Sequence, residues 1–176
     1  MKTKNLVLMA LLVGIGAALY VVIPGISGGV KPDIMLVMMF IGILLFPTFK
    51  EMFLLAISTG FISGLFSTTP GGFFPNVIDK AITGLFLLVV ILLVKKLTQS
   101  IVVNIVLMGI STIISGSIFL SLALFIFKLD IPFGFEFLFI TVVLPTVILN
   151  CIAFVIIYPI IITLAKRSKF IPVTNA

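Results

Sequence analysis

Histidine is absent from this chain of 176 residues, and cysteine occurs only once. Without histidine there is no imidazole for general base catalysis and no ordinary zinc site, and one cysteine cannot form an internal disulfide. Charged residues make up only 9% of the chain, whereas an ordinary soluble domain has about 25%. Such a chain cannot cover a soluble surface with polar side chains, which excludes a soluble enzyme and a disordered protein.

Several catalytic sequence motifs are missing as well. The chain contains no Gly-x-x-x-x-Gly-Lys-Ser/Thr phosphate loop, no His-Glu-x-x-His and no Cys-x-x-Cys. We therefore expect no enzymatic activity, no cofactor and no metal. An internal repeat is not recognisable either, although autonomous secondary transporters often have two related halves. These absences favour one subunit of a larger assembly.

Apolar sequence is abundant instead. Hydrophobic residues make up 62% of the chain, and the mean hydropathy is +1.49. A helix of about 20 residues crosses the apolar core of a bilayer, and continuous apolar runs favour helices over barrel strands. We predict an all-α integral membrane protein, a six-transmembrane-helix bundle that forms a single membrane domain over residues 1–176. The helices are expected at about 5–23, 32–49, 52–69, 76–94, 101–127 and 137–164.

The basic residues predict the orientation of this bundle. Lysine and arginine are enriched in the cytoplasmic segments of membrane proteins. With a cytoplasmic N-terminus, eight basic residues lie inside and three lie outside, so both termini are predicted to be cytoplasmic. We expect the first apolar block to be a retained helix rather than a cleaved signal. The inner set is Lys2, Lys4, Lys50, Lys95, Lys96, Lys166, Arg167 and Lys169, and the outer set is Lys31, Lys80 and Lys128.

Polar residues in the predicted helices share one depth. Counting about 20 residues outward from each inner basic cluster places Lys31, Asp33, Asp79, Lys80 and Asn150 near the outer surface. The inner two-thirds has few ionisable groups, whereas a proton pathway needs them at several depths. This distribution favours a binding site that opens to the outside.

Structural roles explain some of the same residues. Asn76 is a candidate N-cap with Asp79 three residues later, and Pro32 with Asp33 fits the first turn of a helix. Asn150 suits a helix–helix hydrogen bond as well as a ligand contact. Lys80, directly after Asp79 inside a span, needs a partner because buried charges are unfavourable in a membrane.

A stripe of small residues runs along the first predicted helix. Ala10, Gly14 and Ala18 are four residues apart, a spacing that lets another helix approach closely. The pattern fits packing inside the bundle and docking of a partner equally well.

Several segments carry a family resemblance. They are Lys31-Pro32-Asp33, Pro75-Asn76-x-Ile78-Asp79-Lys80, Val143-Leu144-Pro145, Leu149-Asn150 and Ile156-Ile157-Tyr158-Pro159. With them the chain resembles, nearly end to end, the substrate-binding S component of an energy-coupling factor (ECF) transporter, and more narrowly the tryptophan-uptake TrpP family. One departure is Gly14, where S components often have alanine in the stripe.

The resemblance implies a multi-pass protein of the bacterial plasma membrane. In this family the S component binds its ligand from outside and docks through its first helix on a membrane coupling protein with two ATPase subunits. The S component then tilts to carry the ligand inward, so ATP is hydrolysed by the partners. No nucleic acid is involved.

Tryptophan as ligand would need partners for its ammonium, carboxylate and indole groups. We expect Asp79, or else Asp33, to bind the ammonium, and Lys80 or Lys31 to bind the carboxylate. The indole wall candidates are Phe61, Phe73, Phe74 and Phe119, with Asn150 or Asn76 accepting the indole N–H. The alternatives are an S component for a vitamin or another aromatic amino acid, and a membrane interaction subunit without a ligand.

Overall fold

The computed structural model describes residues 3–25 and 30–167. In these ranges the chain forms helices and no β-strand, which confirms the all-α prediction. Lys2, Lys169 and the segment 26–29 lie outside the described residues. The helices are α1 (Thr3–Val22), α2 (Ile34–Leu45), α3 (Phe49–Leu65), α4 (Phe73–Leu93), α5 (Ile101–Ile126) and α6 (Phe135–Arg167).

Four of these helices are long and apolar enough to cross a membrane: α1, α4, α5 and α6, with 20, 21, 26 and 33 residues. The other two are shorter, with 12 residues in α2 and 17 in α3. At about 1.5 Å per residue, α2 is only about 18 Å long. It ends two residues before Pro47, which has no N–H for a continuing helix. The structure thus supports a multi-pass protein, and the count of six spans stays a prediction.

The short helix α2 lies at the centre of the bundle. Every residue from Ile34 to Ile43 is buried, because α1, α3, α4, α5 and α6 all pack around it. A helix that is apolar on all sides needs such an enclosed position. At Gly16 of α1, an added Cβ would lie 2.9 Å from the Met38 side chain, so glycine permits this close packing.

Helices α3 and α4 pack against each other through small residues. An added Cβ at Gly60 would lie 3.0 Å from the Val77 Cα, and one at Gly64 would lie 2.9 Å from the Phe73 carbonyl oxygen. Together with Ala56 these glycines form a stripe with a spacing of four residues, which lets two backbones approach. The contact fixes the start of α4 against the bundle.

One end of the bundle collects the C-terminal ends of α1, α3 and α5 and the N-terminal ends of α2, α4 and α6. We call it the cavity end. Here α5 and α6 each contain a wider π-helical turn, at Leu122–Ile126 and Phe139–Val143. Such turns are frequent at functional sites. The six described basic residues of the predicted inner set lie at the opposite end.

Two cap predictions are corrected by the structure. Helix α4 begins at Phe73, so Asn76 lies within its first turns and is not the N-cap. The Asn76 side-chain amide donates to the Gly72 carbonyl oxygen at 2.7 Å instead. Asp33 is itself the N-cap of α2, since its Oδ1 accepts the Leu36 N–H at 2.9 Å, and Pro32 therefore precedes the helix.

Candidate ligand-binding site

A cavity of about 310 Å³ opens at the cavity end. Its volume lies within the range of about 300–1,000 Å³ that is usual for small-molecule sites. All six helices or the loops beside them contribute to its lining. The polar and ionisable lining residues are Tyr20, Lys31, Asp33, Ser67, Thr68, Thr69, Asn76, Asp79, Lys80, Thr112, Ser115 and Thr146. The cavity is therefore suited to a ligand with charged groups.

Lys80 joins two carboxylates at the base of this cavity. Its Nζ lies 2.6 Å from Oδ2 of Asp33 and 2.8 Å from Oδ2 of Asp79, and it also donates to the Ser115 hydroxyl at 3.3 Å. Side-chain exposure is 1% for Lys80 and for Asp79 but 24% for Asp33. Of the two acids, Asp33 is the one that a ligand can reach.

The Asp79 carboxylate is satisfied by the protein. Its Oδ1 accepts from the Thr83 hydroxyl at 2.9 Å, and its Oδ2 accepts from the Ser115 hydroxyl at 2.8 Å as well as from Lys80. Thr83 is one helical turn after Asp79, and Ser115 belongs to α5. This network explains how a buried charge is tolerated, because buried ions need both a partner and hydrogen bonds.

The backbone of Asp33 is anchored from the opposite side. Its N–H donates to Oδ1 of Asn150 at 2.7 Å, and the Asn150 amide donates to the Thr112 hydroxyl at 3.0 Å. Asn150 is fully buried and does not line the cavity. Its role is to tie the start of α2 to α5 and α6, which orients the Asp33 carboxylate.

Lys31 stands beside Asp33 at the wall. Its ammonium lies 4.0 Å from the centre of the Tyr20 ring, a cation–π contact, and it also donates to the Tyr20 carbonyl oxygen. Burial lowers the pKa of the Lys31 ammonium below its usual value, and the nearby Asp33 carboxylate opposes that change. Lys31 lies in the segment before α2 and presents a positive charge to the cavity.

Apolar side chains complete the walls. They come from α2, α5, the loop after α5 and the start of α6: Leu36, Phe119, Leu120, Ile131, Leu138, Val142 and Val143. The cavity thus combines polar and apolar lining residues. This combination fits an amphiphilic guest with charged groups at one end and an apolar body.

A second concavity lies away from this site, between α1 and α3. It is a groove of about 380 Å³. Its lining is apolar apart from Ser58: Leu6, Met9, Ala10, Val13, Gly14, Leu54, Leu55 and Ile62. An added Cβ at Gly14 would meet no atom within 4 Å, so this glycine faces open space rather than the bundle.

Comparison with known proteins places the chain in a family. The family described as "Tryptophan transporter TrpP" matches residues 2–166. The chain belongs to the TrpP family. Three relatives carry the name "Probable tryptophan transport protein". The one from Bacillus subtilis (strain 168) is 48% identical over 170 residues, which are 97% of each chain.

The other two relatives are more distant. The protein from Clostridium acetobutylicum is 39% identical over 162 residues, which cover 90% of this chain and 91% of the relative. The protein from Clostridium perfringens is 30% identical over an alignment of 179 positions with gaps, which covers 97% of each chain. No solved structure matches the chain.

The predicted site residues of this TrpP-family chain fall into two groups. Lining the cavity are Lys31, Asp33, Asn76, Asp79, Lys80 and Phe119. Asn150 is one shell behind it, as described above. Phe61, Phe73 and Phe74 do not line the cavity. The Phe73 ring packs on those of Phe61 and Phe74, with ring centres 5.3 Å apart in each pair. Phe61 and Phe74 are 50% and 60% exposed, so these two face outward.

The polar residues that hold the charged groups and Asn150 in place were missed by the sequence analysis. Thr83 and Ser115 hold Asp79, Thr112 holds Asn150, and Tyr20 contacts Lys31. One of these residues could have been found from the sequence. Thr83 follows Asp79 by four residues and therefore lies on the same face of the helix. In the described ranges no group of three or more acids, cysteines or histidines is arranged to hold a metal.

Proposed function

We propose that this chain is the S component of an ATP-driven ECF importer and that its substrate is tryptophan. The substrate follows from the family and from the names of the relatives. The cavity with an acid, a base and an apolar wall carries the proposal. The chain captures tryptophan from outside, and partner proteins supply the energy.

In this proposal the ligand ammonium binds the carboxylate of Asp33. Asp33 is the more exposed of the two acids, whereas Asp79 is almost fully enclosed and accepts hydrogen bonds on both oxygens. The ligand carboxylate binds Lys31, which lines the same cavity and is near Asp33. A zwitterion thus meets one charge of each sign, and charge-assisted hydrogen bonds are the stronger kind.

The indole ring contacts the apolar lining residues of the cavity in this proposal. Phe119 is the aromatic wall there, and Leu36 and Leu138 add aliphatic surface. An indole also has one N–H that needs an acceptor when it is buried. Asn76 lines the cavity and is the candidate acceptor, while the Asn150 carbonyl oxygen already accepts from Asp33.

The basic residues orient the protein with its cavity outside. Positive side chains favour the cytoplasmic side, and the end opposite the cavity carries Lys4, Lys50, Lys95, Lys96, Lys166 and Arg167. The cavity end then faces outward and both termini lie in the cytoplasm. The bundle crosses the bacterial plasma membrane with six helices, of which the short α2 is shielded from lipid by the others.

Docking on the coupling protein is assigned to the groove between α1 and α3. Ala10 and Gly14 line it, and Ala18 continues the same exposed stripe. A partner helix can approach closely over small residues. The chain has no phosphate-loop motif of its own, so the two ATPase subunits of the partner complex hydrolyse ATP and the S component tilts with its ligand.

Two measurements test the parts of this proposal separately. A competition panel of tryptophan, other aromatic amino acids and vitamins on the purified chain identifies the ligand, and we expect tryptophan to bind best. If a vitamin displaces tryptophan or binds in its place, the substrate assignment fails. If nothing saturates the site, the alternative of an interaction subunit without a ligand holds.

The coupling part is tested in bacterial cells that depend on this chain for tryptophan uptake. We expect Gly14→Leu to abolish uptake while the purified variant still binds tryptophan, because the leucine fills the groove. Gly134→Leu is the matched control, since Gly134 also has open space around it but lies at the cavity end. Uptake by the chain alone in liposomes, without ATPase subunits, would contradict the coupling.

A further inference from the structure

All three N–H bonds of the Lys80 ammonium are used inside the protein. A lysine ammonium has three donors and no acceptor. One points to Asp33, one to Asp79 and one to the Ser115 hydroxyl. A ligand carboxylate could therefore gain a bond from Lys80 only by breaking one of these contacts at a site that is 1% exposed.

The charges of the cluster do not balance. Asp33 and Asp79 carry two negative charges, and Lys80 carries one positive charge. Asp79 is enclosed with Lys80 by Thr83 and Ser115, so the remaining negative charge is presented to the cavity by Asp33. The nearby Lys31 ammonium contacts Tyr20 and forms no ion pair with Asp33 in the part of the chain that the structure describes. The ammonium of an amino acid can therefore pair with the exposed Asp33 carboxylate.

We propose that Lys80 is a positioning residue and does not contact the ligand. It acts as a built-in cation that holds two carboxylates together and fixes Asp33 Oδ2, which in turn receives the ligand ammonium. This inference rests on the proposed function, since it takes Asp33 as the ligand contact. It separates Lys80 from Lys31, which sequence analysis treats as equivalent candidates for the ligand carboxylate.

Two ligands distinguish positioning from contact. Tryptamine has the ammonium and indole of tryptophan but no carboxylate. If Lys80 acts through Asp33, Lys80→Ala weakens binding of both ligands by the same factor, about 10- to 100-fold for a lost charge-assisted hydrogen bond. If Lys80 bound the carboxylate, only tryptophan would lose affinity. Lys31→Met is the comparison variant, and we expect it to weaken tryptophan more than tryptamine.

Chemical rescue distinguishes positioning from a general role in folding. Lys80→Ala removes three carbons and the ammonium, which together have the size of propylammonium. Added propylammonium is expected to restore tryptophan binding to Lys80→Ala, whereas neutral 1-propanol is not. A folded Lys80→Ala protein without rescue by the amine would overturn the inference.

A second variant tests the inference if the Lys80→Ala protein does not fold. Asp79→Asn with Lys80→Met removes both enclosed charges and keeps the formal charge of the cluster, and replacing a buried ion pair is often tolerated. We expect an unchanged ratio of tryptophan to tryptamine affinity, and a fall in that ratio would overturn the inference. If the unsubstituted chain binds neither ligand, the proposed function fails and this inference fails with it. If it binds tryptophan but the ratio falls in the Lys80 variants, only this inference fails.

Discussion

The cavity and the groove differ in chemistry much more than in size. The cavity holds about 310 Å³ and the groove about 380 Å³. Three ionisable side chains that form ion pairs with one another line the cavity together with Lys31 and Tyr20, whereas the groove has an apolar lining with one serine. Buried charges are unfavourable unless they serve a partner. This difference is the reason why we propose a charged small molecule for the cavity and an apolar helix for the groove.

The two stripes of small residues show the same contrast. The stripe Ala56, Gly60 and Gly64 of α3 is covered by α4, and a side chain larger than glycine at Gly60 or Gly64 would meet the backbone of α4. The stripe on α1 is exposed, and nothing lies within 4 Å of an added Cβ at Gly14. Identical spacing therefore serves internal packing in one helix and leaves an open face in the other.

The largest expected effect is on the charged side of the cavity. Asp33→Asn keeps the shape of the side chain but removes the charge that faces the ligand ammonium. We expect tryptophan affinity to fall by about 10- to 100-fold, the value of a charge-assisted hydrogen bond. Isothermal titration of the purified variant measures this change.

The matched control for this prediction is Asp130→Asn. Asp130 is an exposed acid of the loop between α5 and α6, and it does not line the cavity. Its substitution is expected to leave the affinity unchanged. Equal losses in both variants would mean that net charge, rather than the cavity, governs binding.

A smaller effect separates the two stripes. Gly60→Ala places a methyl group 3.0 Å from the Val77 Cα, and overpacking of this kind destabilises a protein by about 1–3 kcal/mol. Gly14→Ala adds the same group in open space and is expected not to lower stability, because alanine has a higher helix propensity than glycine. Thermal denaturation in detergent compares the two, and equal midpoints would contradict the close contact between α3 and α4.

The smallest effect concerns the indole wall. Phe119→Leu removes an aromatic face from the cavity, and aromatic pairs are worth about 0.5–1.5 kcal/mol beyond their area. We expect tryptophan affinity to fall by about 2- to 10-fold. Phe74→Leu, on the outward-facing cluster, is expected to have no effect on binding. A larger loss of tryptophan affinity in Phe74→Leu than in Phe119→Leu would contradict Phe119 as the indole wall.

The helices were predictable because apolar runs and their breaks are local properties. For most helices the predicted ends differ from the observed ones by two to four residues. Helix α2 is shorter than predicted because Asp33 caps its start and Pro47 follows its end. The convergence of Asp33, Asp79 and Lys80 was predictable only as a shared depth. The depth of a residue in the membrane follows from counting residues along its helix. Which side of the helix faces the bundle depends on the neighbouring helices.

The aromatic walls show where such reasoning ends. Four phenylalanines had suitable depth, and only Phe119 lines the cavity. Phe61 and Phe74 face outward, and Phe73 is half-buried because its ring packs over Gly64 where α3 and α4 meet. The sequence could not show which of Asp33 and Asp79 is accessible to a ligand either. Only the observed hydrogen bonds from Thr83 and Ser115 show that Asp79 is enclosed.

Direct titration of the purified chain with tryptophan tests the central claim. The chain contains no tryptophan of its own, so indole emission in the sample reports the ligand alone. We predict saturable binding of one tryptophan per chain, with an emission shift as the indole leaves water for the apolar wall. Emission that stays that of free tryptophan at every protein concentration would contradict a tryptophan site in this cavity.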